Sequence, residues 1–301
     1  MMNERPTHGA GGIVKALKKY RAVYVPYSIP NLVKESIRRR SFNRTFDASP
    51  HASVLHALRR DGAVNLGQLF SSEQCAQWAT HLKKLIDSHP EHLKTYDDQT
   101  DRRFYGVNEI TSAFDDFVTH QQIGDIRDSY LGSLKSGFLL GAHIHSGPNN
   151  TGSGGGWHRD SLVHAQMKAI VYLTETTADN GPFQYIRGSH RNYATLWAAG
   201  KLDQSYRQDR YDTADYISVF DEDPNLLEFA GPAGTVILTD TSGIHRGKPL
   251  VEGERCALTH YLFHAHHTKP EYAKFPRPSR LPEYAQNKGR GFENPLNPIE
   301  K

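Results

Sequence analysis

A chain of 301 residues with 37% hydrophobic and 23% charged residues has room for one large domain or two small ones, and it lacks the composition of collagen, a coiled coil or a wholly disordered chain. No apolar run approaches the roughly 18 residues of a membrane span, and the N-terminus lacks the apolar core of a secretory signal. Two distant cysteines, Cys75 and Cys256, exclude a disulfide framework or a cysteine-built zinc site, so the expected location is the reducing cytoplasm.

The net charge of +3 hides an asymmetry. Through Phe46 the chain has ten basic and two acidic residues, so the remaining 255 residues carry −5. Residues 1–46 therefore read as a basic arm, with helical spacing at Ile13, Val14 and Leu17 and again over 31–41, ending in Arg38-Arg39-Arg40. Pro26 and Pro30 separate the two stretches. The arm has few aromatics at stacking spacing, which disfavours nucleic acid. Its charge suits an anionic or lipid-linked partner, or peripheral contact with a membrane. A solvated face or a subunit-docking arm fits the same pattern.

Residues 47–301 read as one domain. Helices are predicted over 50–62, 71–88 and about 112–131. Ser71 followed by Gln74 resembles a capping box, and Cys75, Trp78, Leu82 and Leu85 share one face. Phe114, Phe117, Ile123 and Ile126 point inward from the third helix. From about residue 135 short strand-like runs replace helices: 138–145, 168–174, 182–186, 216–220, 226–230, 235–239 and 256–263. Turn residues separate them, with no crossover helices between. The expected fold is mainly β with α: a jelly-roll core over about 135–265, covered by a helical layer from the N-terminal third. The insertion 195–216, with Trp197, Tyr206 and Tyr211, is long enough to form a lid over a site.

The chain has 17 histidines, which raises interest in a metal without locating it. Spacing does that better. The run Gly154-Gly155-Gly156-Trp157-His158-Arg159-Asp160 places His158 and Asp160 two apart, on one side of an extended strand. Trp157 then points the other way, into the core. His245 stands at the end of the apolar strand 234–240 and its turn, 87 residues after His158. Two histidines and a carboxylate make the facial triad of non-haem Fe(II) sites. Arg255, ten residues on, offers a fixed guanidinium that could grip a dicarboxylate.

The order His158-x-Asp160, His245, Arg255 resembles the phytanoyl-CoA dioxygenase family of Fe(II)/2-oxoglutarate-dependent oxygenases. A second block is similar to that family as well: Lys168-Ala-Ile-Val-Tyr-Leu-Thr174, then Asn180-Gly181-Pro182 and Arg187-Gly188-Ser189-His190, with Arg187 where proline is usual. The resemblance covers roughly 135–265. It implies a double-stranded β-helix in which His158, Asp160 and His245 bind Fe(II) and Arg255 binds the distal carboxylate of 2-oxoglutarate. It also implies oxidation of a small-molecule substrate by O2, with release of succinate and CO2, supported in assays by ascorbate. Asp160 favours hydroxylation over halogenation, since related halogenases lack the carboxylate. Desaturation and other oxidative outcomes stay open.

Two further histidines are candidate pocket residues. His145, just upstream of the glycine run, is expected to contact 2-oxoglutarate, and His164 to contact substrate at the mouth. His190 is expected to tie down its own loop. Two alternatives stand beside the oxygenase: a catalytically silent jelly-roll binding protein, and a cupin-like metal protein independent of 2-oxoglutarate. The intact ligand set argues against the first and Arg255 against the second.

Overall fold

A computed structural model describes residues 46–132, 135–161, 165–191, 210–211 and 225–264, with six further positions between 29 and 37. The expected strand at 216–220, nearly all of the insertion 195–216 and His164 lie outside the described residues.

Among the described residues from Phe46 on, two helices come first. Helix α1 (Ala52–Asp61) stops at Gly62, whose left-handed backbone (φ 91°) lets its N–H reach the Leu58 carbonyl. Helix α2 (Ser72–Ser88) starts where the Ser71 hydroxyl accepts the Gln74 N–H. The capping box is half formed, because the Gln74 amide donates to Asp116 instead of returning to Ser71. The predicted third helix is broken into α3 (Asp115–Val118) and α4 (Gln121–Leu131). His120 is the cause: its backbone is extended (ψ 120°), which no helix continues through. The inward residues Phe114, Phe117, Ile123 and Ile126 are nonetheless all buried.

Among the described residues ten strands follow the alternation expected of a double sheet. They are β1 (Ala63–Gln68), β2 (Leu93–Tyr96), β3 (Asp101–Tyr105), β4 (Lys135–His145), β5 (Gln166–Tyr172), β6 (Phe183–Ile186), β7 (Leu226–Phe229), β8 (Thr235–Asp240), β9 (His245–Gly247) and β10 (Glu254–His264). Seven form one antiparallel sheet in the order β1-β8-β5-β10-β4-β3-β2, and three form a second in the order β7-β6-β9. The sequence reading had missed β1, β2, β3 and β9. Polar Asn65, Gly67 and Gln68 disguise β1, and Asp101, Arg102 and Arg103 disguise β3.

Strand parity sorts the larger sheet into two faces. Met167, Ala169, Val171, Leu238, Cys256 and Leu258 pack with Leu55, Leu58, Trp78, Leu82 and Ile86 of the helices. Ile170, Tyr172, Ile237 and Ala257 pack the other way, onto Phe183 and Tyr185 of the smaller sheet. Strand β5 is thus buried on both faces, and its apolar run Ala169-Ile170-Val171-Tyr172 follows from that. Both cysteines are free and buried. Among the described residues no helix is long and apolar enough to cross a membrane.

Helix α2 rests on β4 at Gly141. A Cβ there would lie 2.3 Å from a methyl of Leu82, so glycine makes the room that Leu82 fills. Leu82 is fully buried. Replacing Leu82 by alanine should therefore destabilise the fold by about 2–5 kcal/mol. Urea unfolding followed by tryptophan fluorescence measures it; a change under about 0.5 kcal/mol, the size of an ordinary surface substitution, would contradict this packing.

Candidate iron and 2-oxoglutarate site

The glycine run bends the chain sharply before His158. Gly154, Gly155 and Gly156 have φ of 94°, 68° and 87°, a succession only glycine adopts without strain. Gly154 also lies against the His158 ring, where a Cβ would come 2.0 Å from Cε1. The β2–β3 turn holds the approach to this run. Its residues Asp97, Asp98 and Gln99 all have positive φ, and Asp97 accepts from the Thr151 N–H and hydroxyl while Asp98 accepts from Asn149.

His158 then meets His245 directly. The His158 N–H donates to the His245 carbonyl (3.0 Å), and the His245 N–H donates back to the His158 carbonyl (2.9 Å). Residues paired in this way put their side chains on the same face, and the two ring centroids are 4.3 Å apart. Two residues on, the Asp160 N–H donates to the Thr241 carbonyl, so its carboxylate falls on that face too. One Asp160 oxygen is 3.6 Å from His158 Nε2 and the other 3.7 Å from His245 Nε2.

The same device orients both rings. The Nδ1 of His158 bonds the Gly156 carbonyl (2.9 Å), and the Nδ1 of His245 bonds the Gly243 carbonyl (2.9 Å). A carbonyl only accepts, so each Nδ1 carries the proton and each Nε2 keeps its lone pair. His245 Nε2 is buried and has no hydrogen-bond partner among the described residues. Burial pushes the His158 pKa down to about 4 and that of His245 well below its usual value, so both rings stay neutral. Two neutral imidazoles with converging Nε2 atoms and one carboxylate fit a divalent cation with nitrogen and oxygen ligands.

Other residues fix the turn that leads to His245. The buried Asp240 carboxylate accepts the Ser242 N–H, the Ser242 hydroxyl and the Tyr130 hydroxyl. Tyr185 donates to the Asp240 carbonyl, buried Arg159 to the Ser242 carbonyl, and the Ile244 N–H donates to the Ser189 hydroxyl. His190 contacts the Arg59 carbonyl and so ties down its loop as expected. Trp157 is buried opposite the triad, with the Arg246 guanidinium 4.3 Å above its ring.

Arg255 lines the same cavity as the triad. It is only 5% exposed, and its guanidinium forms no hydrogen bond or ion pair among the described residues. Burial lowers its pKa, yet a guanidinium stays charged under any ordinary condition. Tyr172 stands nearby, its own phenol pushed up to about 12 by burial. Arg103 lines the cavity too, but it is spent on a two-point pair with Asp101 (2.8 and 2.5 Å). Lys168 lines it as well, with its amine 2.6 Å from Asp160. The sequence reading gave neither Arg103 nor Lys168 a role. Lys168 carried a usable signal: a lysine at an inward position of an otherwise apolar strand.

His145 does not line this cavity, and its expected contact with 2-oxoglutarate is corrected. Leu140, Ala142 and Ile144 of β4 face the cavity, so alternation turns His143 and His145 to the helix side. There His143 accepts from Arg102 through Nδ1 (2.8 Å) and meets Glu254 through Nε2 (2.7 Å), while Lys83 of α2 also pairs with Glu254. His143, His145 and Glu254 lie close enough together to suggest a second metal site. Both His143 nitrogens are already engaged, however, and two cations adjoin the cluster, so it reads as a structural network.

The chain is similar to several known proteins. An ectoine dioxygenase of Bordetella parapertussis is 24% identical over 255 residues, which cover 76% of this chain and 81% of that protein. The crystal structure of EctD from S. alaskensis in its apoform aligns with a TM-score of 0.57 at 17% identity, over 76% of this chain and 82% of that one. The non-heme alpha ketoglutarate dependent carbocyclase SnoK from nogalamycin biosynthesis aligns with a TM-score of 0.54 at 14% identity, over 71% and 83%. These structural likenesses establish the double-sheet oxygenase fold. The family model described as Phytanoyl-CoA dioxygenase (PhyH) matches residues 58–251, and the chain belongs to that family as an Fe(II)/2-oxoglutarate-dependent oxygenase of a small molecule.

Proposed function

We propose that His158, Asp160 and His245 hold the Fe(II) and that Arg255 holds the distal carboxylate of 2-oxoglutarate. The observation that carries this is the backbone bridge between His158 and His245, which converges two neutral Nε2 atoms on Asp160. Iron and 2-oxoglutarate, when bound, supply O2-dependent oxidation of a second substrate with release of succinate and CO2. The chain's own part is placement. The Gly156 and Gly243 carbonyls hold each ring in the ligating tautomer. Arg255 offers two parallel N–H donors to a carboxylate from a wall shared with Tyr172, Ala257 and Phe183, which exclude water from the pair. Asp160 fills the position a halide would need, so hydroxylation is the favoured outcome. The curated relatives are named for ectoine, which makes ectoine the first compound to assay.

The arm is proposed as a membrane-docking segment appended to the domain of residues 47–301. Its net charge of +8 and the exposed Ile29, Val33 and Ile37, four residues apart, support contact with an anionic lipid surface.

Three outcomes test these assignments. His158→Ala and Asp160→Ala should each abolish succinate formation with Fe(II), ascorbate and 2-oxoglutarate, and should weaken Mn(II) binding at least tenfold; wild-type turnover in either variant would remove that residue from the ligand set. Arg255→Ala should raise the 2-oxoglutarate concentration for half-saturation roughly 10- to 100-fold, the worth of a lost charge-assisted pair. An unchanged saturation curve would refute the clamp. Replacing Arg38, Arg39 and Arg40 by glutamate in the full chain should abolish cosedimentation with phosphatidylserine vesicles, and a wild-type chain that never cosediments would end the membrane assignment.

A further inference from the structure

Lys168 has no part in the site as described so far, yet it stands within it. Strand β5 sends Lys168, Ile170 and Tyr172 into the cavity. Lys168 is 7% exposed, its amine 2.6 Å from Asp160 and 4.3 Å from the centre of the Tyr261 ring. A lysine is rarely buried so deeply unless a counter-charge holds it there. Here the counter-charge is a carboxylate that a metal ion would also claim.

Position separates Lys168 from the 2-oxoglutarate clamp. Lys168 pairs across the sheet with Tyr261 on β10. Arg255 is six residues earlier on that strand, about 20 Å away along the backbone. The two cations therefore rise from well-separated points of the cavity wall.

Charge gives the second line of argument. Among the described residues that line the cavity, Arg103 is neutralised by Asp101, and Arg210 caps the carbonyls of Gly154 and Gly155. Arg255, Lys168 and Asp160 remain. A divalent iron and a dianionic 2-oxoglutarate would cancel each other, leaving the buried cations Arg255 and Lys168, beside the exposed Arg210, against one carboxylate. Iron held by Asp160 would compete with Lys168 for that carboxylate. Tyr261 and Tyr105, with Leu140, wall this end of the cavity with aromatic and apolar surface.

We propose that Lys168 anchors an acid group, a carboxylate or phosphate ester, on the substrate to be oxidised, with Tyr261, Tyr105 and Leu140 receiving its apolar body. This rests on the oxygenase assignment above and adds the substrate class to it. The inference comes from β5 and the cavity alone, independently of the basic arm.

The test uses the full chain loaded with Mn(II), which is redox-inert here, and 2-oxoglutarate. Benzoate and phenyl phosphate serve as acid probes and benzamide as the neutral control. Calorimetry gives affinity, and Mn(II)-induced broadening of the probe's proton signals reports nearness to the metal. Benzoate or phenyl phosphate should bind at least tenfold more tightly than benzamide and be broadened; which of the two binds tells carboxylate from phosphate. Lys168→Met should erase that preference while keeping Mn(II) and 2-oxoglutarate affinities within threefold of wild type, and Lys168→Arg should retain it. Equal binding of acids and amide, or no binding of any probe, would overturn the subsite. So would a tenfold loss of Mn(II) or 2-oxoglutarate affinity in Lys168→Met, which would make Lys168 a support for Asp160 or a cosubstrate ligand instead. A wild-type chain that took up neither Mn(II) nor 2-oxoglutarate would instead strike the oxygenase assignment itself, and this proposal with it.

Discussion

Two backbone hydrogen bonds between His158 and His245 hold the site together. They join residues 87 apart in the chain and make them directly opposed partners. Direct opposition forces both imidazoles onto one face, and the two-residue repeat of an extended chain brings Asp160 to the same face. No side-chain contact is needed to assemble the three groups. Everything else nearby serves this bridge: the glycine run that lets the chain turn into it, and the Asp240 network that fixes the turn on the other side.

Electrostatics divides the cavity into functions. Burial keeps the two histidines neutral, which a metal ligand must be. Of the cations, Arg103 is neutralised on the spot by Asp101, Arg255 forms no ion pair among the described residues, and Lys168 shares the triad's own carboxylate. These three states suit the roles proposed for them: wall, clamp and anchor. A count of charged residues would have treated them alike.

The helical layer has a structural role. Its side chains cover the face of the larger sheet turned away from the cavity, and they make β5 and β10 apolar on alternate positions that the site never sees. Polar residues on that face include His143, which links Arg102 to Glu254, and His260, whose pKa burial pushes down to about 3. Several of the chain's many histidines thus work as compact polar groups inside the packing. Histidine number did not locate the cluster of His158, Asp160 and His245; spacing beside a carboxylate did.

Much of this was legible in the sequence, because it rests on local periodicity. Two-residue alternation identified most strands after residue 135, the Ser71 cap marked the start of α2, and His158-x-Asp160 announced two groups on one face. The charged strand β3 was not legible, since its Asp101–Arg103 pair is buried only in the company of β4. The break at His120 was hidden by a continuous apolar face on either side of it. His145 was misplaced because alternation fixes which residues share a face and leaves open which face is the cavity. That choice belongs to tertiary structure: the helices cover one side of the larger sheet and the smaller sheet the other, and only packing decides which side each strand parity meets. The same packing put Lys168 beside Asp160. The sequence by itself determined the residue types of the triad, their order and the double sheet; the closure of that sheet, which pairs distant backbones, decided their geometry and the company they keep.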